Sequence, residues 1–150
     1  MTDISGVLQG LDRFLAAQQR GLNEGLEDGA MLLQLVASET DAYAGMSGAT
    51  RASTVAYPFG PNVPPSQAFE QAYQTAAQLL DGYTGHDGKP ARMDADVPAG
   101  ATGIVLTVPT DYVDDLEFDL GGQKAFLAPT LRQEAQTVTA NIARAMKAST

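Results

Sequence analysis

The sequence predicts an α+β subunit: long N-terminal and C-terminal helices packed on a small, mostly antiparallel sheet, with an inserted helix near 66–80. Three observations carry this. Apolar residues recur at steps of three and four over 3–40 and again over 129–147, the helical period. Between them lie two short β-branched runs, "STVAY" ahead of Pro58 and "GIVLTV" bounded by Gly and Pro109. The chain of 150 residues has the length of one domain, 1–150, and is large enough to bury a core without cross-links.

The first helix is expected over residues 3 to about 40. Ile4, Val7, Leu8, Leu11, Leu15, Leu22, Leu26, Leu33 and Val36 form its apolar stripe. Asp3 suits its N-cap or first turn. Gly21, Gly25 and Gly29 sit four apart and so share one face. Each weakens a helix by up to about 1 kcal/mol relative to Ala. Two readings follow: a groove where another backbone, such as a neighbouring subunit's, packs closely, or a kink near Gly21.

"YAGMSGATRAS" is small and polar, hence loop, and Ser53 to Tyr57 reads as a short strand. Pro58, Gly60, Pro61, Pro64 and Pro65 are expected to end regular structure. Ser66 can cap the inserted helix, whose stripe is Phe69, Ala72, Tyr73, Ala76, Leu79 and Leu80, and Gly82 or Gly85 ends it. Residues 91–97 form a possible strand and 103–108 a stronger one; 112–120 extend the sheet or make a turn of helix. The last helix runs from Pro129 to about Lys147, with Leu127, Leu131, Ala135, Val138, Ile142 and Met146 on one face. Phe126, Leu127, Leu131, Val138 and Ile142 are its expected core anchors.

Composition excludes several classes of function. There are no cysteines, which removes disulfides and thiolate metal sites, and the single His86 cannot build a multi-histidine centre within one subunit. The net charge of −9 opposes tight wrapping of nucleic acid, which needs neutralised phosphates, and docking on anionic lipid. No basic and apolar leader follows Met1, and no apolar run approaches the roughly 20 residues of a membrane span. The expectation is a soluble protein made in a cytoplasm, with no cofactor and no membrane partner.

Asp111, Asp114, Asp115, Glu117 and Asp119 invite a metal reading. A calcium loop, however, needs converging oxygens, a Gly at its turn and a distal Glu. Leu116, Phe118 and Leu120 instead alternate with Glu117 and Asp119, as in a half-buried strand with its acids in water. Charge on such an edge also discourages wrong pairing. Arg51, in "SGATRAS", can pair with the acids at 111–119 of its own or another subunit, or stand free on the surface. His86–Asp87 could orient a general base beside Ser47, Ser53 or Ser66, but no G-x-S-x-G elbow and no P-loop spacing accompanies it. A small hydrolase using His86 and Asp87 is the weaker alternative.

The order of the pieces resembles the head–tail connector proteins of tailed phages, the neck or tail-completion group. Members carry a T-G-x-L-R-x-S-like loop, matched here by Gly48, Arg51 and Ser53. A Y-x-x-x-x-E-x-G-like stretch follows, matched by Tyr112, Glu117 and Gly121. P-F-L-x-P-A-like residues open the last helix, matched by Phe126, Leu127, Pro129 and Leu131. The resemblance covers 1–57 and 101–150, and 58–100 reads as an insertion. Ala125 stands where the family often has Pro, and Thr50 where an apolar residue is common. The resemblance implies a virion protein that closes with copies of itself into a ring, often a hexamer. Its further partners would be adjacent head-completion or adaptor proteins and tail-tube proteins, with DNA passing through the lumen without specific binding. It would join head to tail or terminate the tail tube; a tail-tube or decoration protein is the alternative within the virion. Gly21, Gly25 and Gly29, with Arg51, Asp114, Asp115 and Glu117, are the candidate subunit-interface residues.

Overall fold

A computed structural model describes residues 4–39, 54–64, 70, 71, 74, 97–107 and 127–150. Four elements follow in order: α1 (Ser5–Ser38), β1 (Val55–Phe59), β2 (Gly103–Thr107) and α2 (Leu127–Ala148). The class is α+β, two long helices on a small antiparallel sheet.

Helix α1 is continuous through Gly21, Gly25 and Gly29, so the glycines do not break it. Its 34 residues extend about 50 Å at 1.5 Å per residue. Ile4 occupies the N-cap position and makes no side-chain cap bond, so the cap expected of Asp3 falls one residue later on a side chain that cannot accept. The buried face is Ala17, Gly21, Gly25, Leu26, Gly29, Ala30, Leu33 and Ala37. At the other end Ser38 Oγ donates to the Leu35 carbonyl at 2.9 Å, an oxygen that also accepts the Glu39 N–H at 3.1 Å.

Helix α2 starts at Leu127, two residues earlier than its proline suggests. The first-turn N–H groups of a helix have no partner within it, so Pro129 sacrifices no bond there. Lys147 lies in the last turn, where its charge suits the helix dipole. Glu70, Gln71 and Gln74 are helical. The rest of the helix expected over 66–80 lies outside the described residues, as do 91–96, 112–120 and the loop before β1.

Among the described residues the sheet has two strands, β1 and β2, paired antiparallel. The register sets Val55 opposite Thr107, Tyr57 opposite Val105 and Phe59 opposite Gly103. Strand β1 therefore runs on through Pro58, where local sequence predicts irregular chain. The reason lies in the alternation of an antiparallel pair. Ala56 donates its N–H away from β2, to Gln34 Oε1 of α1 at 3.0 Å. Pro58, two residues on, faces the same way, so its missing N–H removes no bond to β2. Gly103 leaves room on the facing strand: a Cβ there would stand 3.3 Å from the Phe59 ring.

The core sits where α1 crosses the sheet and α2. Ala30, Leu33, Ala56 and Val138 are its buried centre, with Leu32, Ile104, Leu106 and Ile142 packed around them. Val55 and Ala56 anchor β1 beneath α1 and are almost fully buried.

Candidate interaction surface

Of the two readings of the glycine spacing, a close backbone approach or a kink near Gly21, α1 makes the close approach. A Cβ on Gly21 would stand 2.5 Å from Met146 Cα, one on Gly25 2.7 Å from Ile142 Cα, and one on Gly29 2.8 Å from Val138 Cγ1. Each step of four along α1 matches a step of four backwards along α2. The two helices therefore lie antiparallel with their ridges in register. The approaching backbone belongs to the same chain, so these glycines form a seam within the subunit and their face is not open to a neighbour. Gln18 closes the end of the seam by donating Nε2 to the Met146 carbonyl at 3.3 Å. Beside it, Gln19 Nε2 donates to Asn23 Oδ1 at 2.8 Å and to the Asn62 carbonyl at 3.4 Å, which ties the turn after β1 to α1.

Two apolar surfaces flank the seam. The first is a groove of about 510 Å³ between α1, β2 and α2, walled by Leu22, Leu26, Leu33, Ile104, Leu131 and Ile142. Leu131 lies on its rim at 40% exposure, so it is no buried anchor in this arrangement. Among the described anchors Val138 is the buried one, at 8%. Ile142 and Leu127 are half-buried. The second surface is the N-terminal third of α1. Ile4, Val7, Leu8, Leu11, Phe14 and Leu15 are each more than half exposed. α2 ends at Ala148 beside Gly21 and Gln18, and the first three turns of α1 project beyond it. A Cβ added at Gly6 or Gly10 in this arm would meet nothing within 4 Å.

The arm and the groove lie on one face. At 100° per residue, Leu11, Ile4 and Leu15 fall on the same line along α1 as Leu22, Leu33 and Leu26. Periodicity exposes this stripe in the sequence but says nothing of where its cover stops. Phe14, which extends the stripe, and Gln34, which satisfies β1, are positions that the stripe alone does not single out.

Arg51, Asp114, Asp115, Glu117, Phe126, His86 and Asp87 lie outside the described residues. Among the described residues there is no group of three or more side chains able to hold a metal ion, and no helix long and apolar enough to cross a membrane. The described surface offers apolar contact area in the groove and along the start of α1. No protein family, curated protein or solved structure matches the chain.

Proposed function

We propose that this chain is a structural subunit of a tailed-phage neck, closing with copies of itself, as a hexamer, into a ring that joins head to tail or terminates the tail tube. The observation that carries the reading is the order of the three motif stretches along an α+β chain. In sequence, Ser47–Ser53 precedes β1, Tyr112–Gly121 follows β2, and the third stretch runs into α2, whose first residues are Leu127 to Leu131. The charge supports it. DNA carries about one charge per 1.7 Å of axis, so a passage must not grip it. Six copies at −9 carry a formal 6 × −9 = −54, which repels the polyanion and lets it slide. Ring closure needs two different patches on each subunit, and an apolar arm and an apolar groove are two such patches. The partners on this reading are other copies, adjacent head-completion or adaptor proteins, tail-tube proteins, and DNA in transit.

Negative-stain imaging and light scattering of the purified full chain, alone and with its neck partners, test it. Closed rings with an open centre are expected. A strictly monomeric species under both conditions overturns the reading.

A further inference from the structure

The exposed N-terminal third of α1 has the makings of one half of a contact. Six apolar side chains, each more than half exposed, lie on one arc of the arm. At roughly 100 Å² apiece they present on the order of 600 Å² of apolar surface. That is the upper end of the largest apolar patch on an ordinary monomer. Buried against an equal area, the patch would remove about 1,200 Å² from water, the lower bound for a specific stable interface. The anchors recur at i, i+3, i+4 and i+7, the pattern of a helix that lies in an apolar groove.

We infer that the arm of one copy, Ile4 and the first residues of α1 to Leu15, seats in the groove between α1, β2 and α2 of a second copy. The proposal deepens the ring reading, and rests on it for the occupant being another copy of this chain. Two observations on the molecule select that occupant. First, the exposed face of the arm is continuous with the face of α1 that α2 and the sheet already bury, so the same chemistry that holds the subunit together continues past the end of α2. Second, each copy presents both an apolar arm and an apolar groove, and a copy therefore satisfies both surfaces at once. A small apolar molecule in the groove would leave the arm uncovered. A lipid surface would favour a polar face rich in Lys and Arg; residues 4–16 carry one Asp12 and one Arg13, and the whole chain is at −9. Copies can exchange arms in pairs or pass them around a closed ring, and the same two patches are buried either way.

The test uses the full-length chain. Light scattering of the wild type is expected to give a multimer, and Leu11→Asp with Phe14→Asp to give a monomer. Both residues are about half exposed, so circular dichroism of the variants should remain that of a folded helical protein. The chain has no cysteine, so single sites can be labelled cleanly. Leu11→Cys and Leu131→Cys variants, mixed and treated with a short bis-maleimide, are expected to join in a covalent heterodimer. A monomeric wild type, an assembly that survives the two Asp variants, or cross-links only between two Leu11→Cys copies would each overturn the contact. A ring that persists in the arm variants ends this inference and leaves the ring reading standing. An arm-dependent dimer that never closes ends the ring reading and leaves the contact standing.

Discussion

Gly25 of α1 lies directly against Ile142 of α2: a Cβ on Gly25 would fall 2.7 Å from the Ile142 Cα and 3.1 Å from its Cγ1. Backbone occupies the space a side chain would take, so the two helices approach as closely as they do only because three residues of α1 have none.

That contact makes the glycines of α1 unequal. Gly25→Ala is expected to destabilise by about 1–3 kcal/mol, because the facing atom is backbone and the helices must separate. Gly6→Ala and Gly10→Ala meet nothing within 4 Å and gain helix propensity, so each should stabilise by about 0.5–1 kcal/mol. Thermal unfolding should show the first lowered and the other two raised by a few degrees. Equal shifts in all three would refute the seam.

Gln34 is expected to matter through Ala56. Gln34→Leu leaves the Ala56 N–H without its 3.0 Å acceptor beneath the helix and should cost about 1–3 kcal/mol in urea unfolding. Gln34→Glu keeps an acceptor at that place and should lose distinctly less. Two variants of equal stability would show that the bond contributes nothing.

Val138 and Leu131, two helical turns apart on α2, should respond differently to the same charge. Val138→Asp buries a carboxylate against Gly29 and Ile104 and should destabilise by more than about 4 kcal/mol. Leu131→Asp puts its charge on the groove rim at 40% exposure and should destabilise by no more than about 1 kcal/mol in the monomer. Chemical denaturation of the two variants compares them directly; a larger loss at Leu131 would relocate the core.

The acids at 111–119 are expected to be edge charge rather than a calcium loop. Millimolar calcium should leave the melting temperature unchanged within about a degree, since stabilisation by a ligand requires binding to the folded state. A rise of several degrees would establish a metal site in that run.

A compact domain of this length has a radius of gyration near 15 Å, or a sphere roughly 40 Å across. A helix of about 50 Å outruns it. The overhang of α1 was thus implied by helix length alone, though which end projects was not.

Sequence by itself determined both long helices and the strand that begins at Gly103, and it narrowed Gly21, Gly25 and Gly29 to a close backbone approach or a kink, because periodicity, β-branching and missing side chains act locally. Tertiary structure decided what the local pattern leaves open. It put α2 of the same chain into the glycine seam, left Ile4 to Leu15 uncovered, exposed Leu131 while burying Val138, and let β1 continue through Pro58. A stripe of leucines reads the same whether or not another element covers it, and a proline is harmful or harmless according to which edge of its strand is paired. Both depend on what lies across from a residue, which its neighbours in sequence do not specify.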